Sequence, residues 1–319
     1  MRTIEALGAP LFVSWQLTRD CNLACLHCCT DSAPGKPLPN ELSKAEALEV
    51  ARKVVDAGVP YAMLCGGEPT IVPWFWDVAQ ALGGAGIQLK LETNGQVFGR
   101  AEADRLSRLP IRSVQISLDG DSQDVYSKQR PGGDLAKAHA ACRAVVGAGL
   151  PLEVTFAPTR LNIHEAEAVV RRSAELGAFR FNTGALMRVG TAAKLWERLE
   201  PTPAQYSEFR AVLVRLDAAL NKKMEFCYVP FTLEEGLREG LSEPPATLLV
   251  LPDGKVKVSA PLPFTCADLR LQSLAQAWDA YRAAWTSPGV REAAQALLEA
   301  PQRLADANKF RALETAVGA

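Results

Sequence analysis

The sequence lacks three features that would place it in a special class: a surplus of charge of one sign, a long apolar run and a secretory signal. Its 35 Lys and Arg residues almost balance 36 Asp and Glu residues, which gives a formal net charge of −1. That balance argues against nucleic-acid and membrane partners, since both favour a basic surplus. No stretch approaches the roughly 18 apolar residues of a membrane span. Residues 1–16 carry no signal core or cleavage site, so we expect a cytoplasmic protein.

Cysteine is not scarce, but a reducing compartment argues against using the eight cysteines in disulfides. Cys21, Cys25, Cys28 and Cys29 stand close together, which indicates metal ligands or redox groups. Three thiolates at Cys-x3-Cys-x2-Cys spacing can hold a four-iron cluster and leave one iron open. Zinc held by these thiolates and His27 is the alternative. Binding of one zinc ion by both His27 and Cys28 would be strained, because the two residues are adjacent in the chain. The sequence also lacks a second Cys-x2-Cys pair.

Strand and helix signals alternate from the start of the chain to about residue 190. Short strands are predicted at 11–17, 61–65, 87–92, 113–119, 152–158 and 179–184. A helix opens at the Ser43–Glu46 capping box and stops at Gly58, and others are predicted at 74–82, 134–147 and 163–176. Such repeats form parallel βα units with right-handed crossovers. We predict an α/β fold whose first domain, residues 1–200, is a partial (β/α)6 TIM-like barrel.

Several predicted strands alternate apolar and polar residues, whereas a parallel sheet covered on both faces is almost continuously apolar. The polar positions include Gln115, Glu153, Thr155 and Asn182. One interpretation is a barrel whose interior holds a polar ligand. The alternative is that the strands are partly exposed to solvent.

The pattern changes after residue 190, and we assign residues 201–319 to a small C-terminal α+β extension. An amphipathic helix is predicted at 201–223. Two strands within 246–260 flank Pro252–Gly254, which is a strong hairpin signal. The tail from 272 to about 316 is rich in Ala and Leu and is predicted to be helical.

The three-cysteine motif and three further segments resemble the radical S-adenosylmethionine (SAM) superfamily. The segments are Gly66–Pro69 (GGEP), Thr93–Gly95 (TNG) and Ser117–Gly120 (SLDG). Each follows a predicted strand, at the edge where βα barrels build active sites. The resemblance covers about residues 10–190. Arg130 matches a family arginine more loosely, because Pro131 stands where relatives have glycine.

The resemblance implies one [4Fe-4S] cluster and SAM as cofactors. The implied cluster ligands are Cys21, Cys25 and Cys28, and the implied SAM-binding residues are His27, Gly66, Gly67, Glu68, Asn94, Ser117, Asp119 and Arg130. Glu68 would meet the SAM ammonium, Arg130 its carboxylate, Ser117 its methionyl or ribose part and His27 its adenine.

The implied activity is reductive cleavage of SAM to a 5′-deoxyadenosyl radical, which abstracts a hydrogen atom from a substrate. That substrate would be a peptide or a small natural-product or cofactor precursor, modified by epimerisation, rearrangement or bond formation. A reducing protein such as flavodoxin or ferredoxin would supply the electron. The alternative is a non-catalytic iron–sulfur scaffold or electron-transfer protein on the same fold.

Within the superfamily, the hairpin and the segment 267–278 resemble the SPASM/twitch branch, whose extension binds auxiliary clusters. Here Ser259 replaces the cluster cysteine, and no cysteine follows Cys266. The resemblance therefore implies an extension that has lost its auxiliary clusters. Cys227 and Cys266 are candidate hydrogen-atom donors or simple packing residues. Cys65 and Cys142 are predicted to be structural, and no leader-binding domain is expected before the first strand.

Iron analysis tests the single-cluster prediction. Anaerobic reconstitution should give about four irons per chain, because only one set of three clustered cysteines is present. A clear eight or more irons would contradict the loss of the auxiliary clusters.

Overall fold

A computed structural model describes residues 4–220 and 223–313. Its strands form one mixed sheet in the order β11-β10-β9-β8-β1-β2-β3-β4-β5-β6-β7. The strands are β1 (Phe12–Gln16), β2 (Tyr61–Cys65), β3 (Gln88–Thr93), β4 (Ile111–Ser117), β5 (Leu152–Phe156), β6 (Arg180–Thr183), β7 (Glu225–Cys227), β8 (Thr247–Val250), β9 (Lys255–Lys257), β10 (Phe264–Asp268) and β11 (Arg311–Ala312).

The helices cover the outer face of this sheet. They are α1 (Lys44–Asp56), α2 (Phe75–Gly84), α3 (Arg100–Leu106), α4 (Gln123–Gln129), α5 (Leu135–Gly147), α6 (Ala166–Glu175), α7 (Thr191–Lys194), α8 (Trp196–Leu199), α9 (Pro203–Leu220), α10 (Leu233–Ser242), α11 (Leu274–Thr286) and α12 (Pro288–Glu299). Short 3-10 turns lie at Ile4–Ala6, Pro69–Ile71, Ile163–Glu165 and Pro301–Asp306. Within the described ranges, every helix is too short or too polar to cross a lipid bilayer.

The six predicted strands are present as β1–β6, and neighbouring strands pair in parallel. The capping box that opens α1 is also present, with Ser43 accepting from the Glu46 amide. A seventh parallel strand, β7, pairs with β6 beyond the predicted domain boundary at residue 200. The six predicted parallel strands are thus continued at one end of the sheet by a strand of the C-terminal region, and the division at residue 200 stays a prediction.

The alternation of residue types separates an apolar outer face from a polar interior. On β4, Val114 and Ile116 are fully buried under the helices, while Gln115 and Ser117 face the interior and are half-buried. Lys90 Nζ lies 2.9 Å from Glu153 Oε2 and 2.9 Å from Gln115 Oε1. The polar side chains thus bond to one another across neighbouring strands, which supports a polar interior rather than solvent-exposed strands.

The predicted hairpin is present as β8 and β9, which pair antiparallel around Pro252–Gly254. β8 also pairs in parallel with β1, which the sequence did not indicate. β1 therefore lies between β2 and β8. The predicted helical tail is present as α11 and α12, and it is followed by a 3-10 turn and the short strand β11. Residues 314–316 of the predicted tail lie outside the described residues.

Polar contacts fasten the extension to the start of the chain. Lys53 Nζ donates to the Leu269 carbonyl at 2.6 Å, and Arg270 Nε lies 2.9 Å from Glu46 Oε1. The buried Trp278 indole donates to the Leu7 carbonyl at 2.9 Å. The C-terminal region therefore completes the same sheet and core as the barrel.

Replacing Leu248 tests whether barrel and extension unfold together. Its side chain is fully buried on β8, so Leu248→Ala should lower the free energy of unfolding by about 2–5 kcal/mol. Urea unfolding followed by circular dichroism and tryptophan fluorescence should show one transition shifted as a whole. The control Val214→Ala, where 58% of the side chain is exposed, should change stability by less than about 0.5 kcal/mol. Two transitions, of which only one moves, would contradict a shared cooperative sheet.

Candidate active site

The predicted motifs meet around one cavity of about 500 Å³ inside the sheet. Its wall includes the side chains of Cys21, Cys25 and Cys28 and the turn Gly66–Gly67. The predicted SAM-binding residues that also line it are His27, Asn94, Ser117 and Arg130. Because parallel strands β1–β4 end at the same edge, the loops that follow them share this space. The volume is within the range typical of small-molecule sites.

Each of the three clustered sulfurs accepts a hydrogen bond. The Leu23 amide donates to Cys21 Sγ at 3.4 Å, and the Ser32 amide donates to Cys28 Sγ at 3.2 Å. The Arg130 guanidinium donates to Cys25 Sγ at 3.4 Å. Such donors suit thiolate ligands and tune an iron–sulfur centre.

Burial keeps the two inner thiols protonated when no metal is bound. It raises the pKa of Cys21 to about 11 and that of Cys25 to about 12, and the positive charge of Arg130 opposes both shifts. Metal binding therefore releases protons here. The buried sulfurs and their donors fit a cluster held by three thiolates.

The zinc alternative requires His27 as a fourth ligand beside the three cysteines. His27 is engaged elsewhere, as described below. A lone tetrahedral zinc requires its ligands to converge on one point at about 2.0–2.3 Å.

Gly66 and Gly67 allow close packing on the segment that leads into the cysteines. A Cβ on Gly67 would lie 1.9 Å from the Asp20 carbonyl oxygen, and one on Gly66 would lie 2.5 Å from that of Thr18. Gly66 also has a φ of +137°, which side chains rarely adopt. The Gly67 amide donates to the Thr18 carbonyl at 2.7 Å. Both glycines line the cavity, but the feature that most clearly requires glycine at these two positions is the close contact with the Thr18 and Asp20 carbonyls.

Glu68 does not face the cavity. Its fully buried carboxylate accepts from the Thr93 hydroxyl at 2.7 Å, the Asn94 amide at 2.8 Å and the Thr70 amide at 3.1 Å. Burial raises its pKa despite these bonds. The carboxylate ties the GGEP turn to the TNG turn, and its contact with the SAM ammonium stays a prediction.

Asp119 also lies behind the cavity wall and not in it. Its Oδ2 atom is 2.6 Å from Arg130 Nε and 3.1 Å from His27 Nε2, and its Oδ1 atom accepts from the Ala157 amide at 2.7 Å. Burial alone would raise the pKa of this carboxyl. The charges of Arg130 and His27 outweigh burial and hold the pKa well below its usual range. Asp119 thus positions Arg130 and His27, and its role in binding SAM stays a prediction.

His27 and Arg130 line the cavity, and residues behind the cavity wall hold their side chains in place. The Gln129 amide nitrogen lies 2.7 Å from His27 Nδ1, and Gln129 Oε1 accepts from the Thr159 hydroxyl at 2.9 Å. Gln129 thereby holds the imidazole with its Nε2 atom facing Asp119. Arg130 lines the cavity beside Asp119, and its pairing with the SAM carboxylate stays a prediction.

Asn94 and Ser117 occupy the predicted places. Asn94 Nδ2 donates to Asn22 Oδ1 at 2.7 Å, and its Oδ1 atom accepts from the Gln96 amide at 2.9 Å. Asn94 thereby joins the TNG turn to the cysteine loop. Ser117 is half-buried at the end of β4 and lines the cavity.

Cys227 and Cys266, the candidate hydrogen-atom donors or packing residues, do not line this cavity, and a role as donors stays a prediction. Cys227 is exposed on β7, at one end of the sheet, and Cys266 is on β10, near the other end. Cys266 Sγ lies 3.6 Å from the Val256 carbonyl, and burial raises its pKa to about 12. The cysteines that line the cavity besides the clustered three are Cys29 and Cys65.

Sequence reasoning missed three residues that shape the site. Gln129 orients His27, Asn308 donates to the Cys29 carbonyl at 2.7 Å, and Lys257 lines the cavity wall. The alternation of Val256, Lys257 and Val258 in the hairpin was the available signal. This alternation predicts a cavity-lining lysine only if one already knows that the hairpin pairs with the barrel.

Comparisons with known proteins agree with the motifs. Residues 15–172 match the family model described as Radical SAM superfamily. Mycofactocin maturase MftC of Mycobacterium ulcerans (strain Agy99) is 33% identical over 207 residues, which cover 63% of this chain and 54% of MftC. The sporulation killing factor maturation protein SkfB of Bacillus subtilis (strain 168) is 31% identical over 192 residues, which cover 60% of this chain and 46% of SkfB. The chain thus spans about half the length of these curated relatives.

A solved structure shares the architecture. Streptococcus suis SuiB bound to S-adenosylmethionine matches with a TM-score of 0.68 at 14% sequence identity, covering 86% of this chain and 66% of SuiB. At that identity the match concerns the fold: a partial barrel of parallel strands with a C-terminal region of helices and strands.

Replacing Asp119 tests the buried ion pair. Asp119→Asn should lower the free energy of unfolding by about 3–5 kcal/mol, because it leaves the Arg130 guanidinium buried without its counter-ion. Asp124→Asn is the matched control, since Asp124 pairs with Lys128 at 2.6 Å on the surface and should cost less than about 1 kcal/mol. Chemical denaturation of the metal-free protein measures both variants. Equal losses would contradict the positioning role of Asp119.

Proposed function

The chain belongs to the radical SAM superfamily of enzymes, which use a [4Fe-4S] cluster and SAM, and from this premise we propose that it catalyses radical modification of a peptide. Its curated relatives include SPASM/twitch-like maturases. The observation that carries the proposal is the single cavity around which the Cys21–Cys28 loop, the GGEP turn, the TNG turn and Ser117 meet.

The residues fit the two cofactors. Cys21, Cys25 and Cys28 would hold the cluster, and the cavity wall at Gly66, Gly67, Asn94 and Ser117 would hold SAM. When bound, the reduced cluster and SAM supply a 5′-deoxyadenosyl radical, which abstracts a hydrogen atom from the substrate. Flavodoxin or ferredoxin is the proposed class of reductant.

The chain's own residues position the reactants and limit access of water. Asp119 and Gln129 fix Arg130 and His27 in the cavity wall. Leu186, Met187 and Val189 line the same cavity from the segment after β6. An apolar cover of this kind shields reactive intermediates from solvent.

A peptide is the proposed substrate class. Two relatives carry the names of maturation proteins, and SuiB has also been solved bound to its precursor peptide SuiA. A small natural-product or cofactor precursor is the second candidate, favoured by the hydroxyl-bearing residues Ser14, Ser117 and Thr155 that line the cavity.

The proposed reaction needs no auxiliary cluster. Ser259 replaces the expected cysteine, and Cys227 and Cys266 lie on strands far apart in the sheet order. We favour outcomes that proceed with one cluster, such as epimerisation, rearrangement or bond formation.

Incubation of the reconstituted protein with SAM and dithionite under anaerobic conditions tests the activity. 5′-Deoxyadenosine should form, and chromatography with mass spectrometry measures it. Cys25→Ala should abolish its formation by removing a cluster ligand, while Cys142→Ala, which changes a buried cysteine on α5, should retain it. If a protein with a full cluster forms no 5′-deoxyadenosine, the electron-transfer scaffold becomes the better description.

A further inference from the structure

A buried lysine lines the cavity without a counter-ion. Lys257 lies on β9, between β8 and β10, and only 3% of the residue is exposed. It lines the same cavity as the clustered cysteines. Lys255, two residues earlier on the strand, is exposed and pairs with Asp253 at 2.8 Å. The two lysines thus differ in environment although they share a strand.

The ammonium of Lys257 has N–H donors that make no hydrogen bond within the part of the chain that the structure describes. Its Nζ atom donates to the Ala260 carbonyl at 2.8 Å and lies 5.2 Å from the centre of the Phe310 ring. Within residues 4–220 and 223–313, no carboxylate oxygen lies within 4.0 Å of this nitrogen. An ammonium has three N–H donors, so two remain available.

Burial without an anion is unfavourable for a cation. It lowers the pKa of Lys257 to about 8, and the influence of Cys29 offsets only part of the shift. Lys90, the other inward-facing lysine of the sheet, has Glu153 Oε2 at 2.9 Å. An anion beside Lys257 would supply what Glu153 supplies to Lys90.

The surroundings of Lys257 indicate what kind of anion fits. Leu249, its partner on β8, and Leu251 line the same cavity, and Phe310 covers the ammonium. We propose that Lys257 binds a carboxylate of the substrate, with an apolar group of that substrate against Leu249, Leu251 and Phe310. This inference rests on the proposed function, because it takes the cavity as the substrate site. The carboxylate belongs to a peptide C-terminus or to a small organic acid.

Two matched pairs of probes test the proposal on the reconstituted protein with SAM bound. Benzoate and benzamide represent a small acid and its neutral isostere, and acetyl-Ala-Ala-Phe with its C-terminal amide represents a peptide end. Saturation-transfer NMR titrations measure the binding of all four. Lys257→Met leaves an unbranched side chain one atom shorter and removes the charge, and Lys255→Met is the matched control.

We expect at least one acid to bind about tenfold or more weakly to Lys257→Met, since a hydrogen bond to a charged group is lost. Its neutral partner and the Lys255→Met control should be unchanged. Dependence confined to the tripeptide acid identifies a peptide C-terminus, and dependence confined to benzoate identifies a small acid. Equal binding of both acids to wild type and Lys257→Met overturns the proposal.

SAM carries a carboxylate of its own, so SAM binding is measured on the same variants. Unchanged SAM affinity in Lys257→Met supports a substrate site, whereas a tenfold loss assigns Lys257 to SAM and overturns the proposal. Lys257→Gln serves for both measurements if the Met variant does not fold. Because these readouts are binding constants, they remain decisive even if no 5′-deoxyadenosine is formed.

Discussion

The ion pair between Asp119 and Arg130 is the contact on which the site depends. It joins the end of β4 to the segment 129–131, whose carbonyls accept from the amides of the cysteine loop: Leu26 donates to Gln129 at 3.1 Å and Ala24 to Pro131 at 3.3 Å. The same guanidinium reaches Cys25 Sγ. A buried charge must be paired, so this arrangement holds only while both partners are present. The position of the cysteine loop relative to the sheet follows from it.

The interior of the barrel also contains buried charged groups, and a network of hydrogen bonds stabilises them. Lys90, Glu153, Gln115 and Asn182 satisfy one another across β3–β6, with Asn182 Nδ2 at 2.7 Å from Glu153 Oε2. A saturated network of this kind is rigid and has few donors left for a ligand. The opposite wall, built by β8 and β9, is more apolar and contains Lys257. The two walls of the cavity therefore differ. The polar groups of one wall are already hydrogen-bonded to one another, whereas the other wall contains a lysine without a counter-ion among the described residues.

The sequence could predict features that depend on neighbouring residues. Strands β1–β6 follow from short apolar runs and their alternation, α1 from the Ser43–Glu46 box, and the common edge of the motifs from parallel pairing. It could not predict the pairing of β8 with β1, because residues 12–16 and 247–250 are joined only by tertiary contacts. For the same reason it could not predict the hydrogen-bond partners of Glu68 and Asp119. Their residue types suggest ligand binding, but their partners Thr93 and Arg130 are revealed only by the fold.

The pairing of β1 with β8 also bears on how the protein is assembled. β1 leads directly into the cysteine loop, yet one of its two neighbours is synthesised more than two hundred residues later. Such distant contacts are slow to form, since a long segment of chain must first be ordered. During synthesis on the ribosome, the first strand and its thiols wait with one edge unpaired. The strand that leads into the cysteine loop therefore has both of its neighbours only once the hairpin has been made, which links the cysteine loop to a segment more than two hundred residues away.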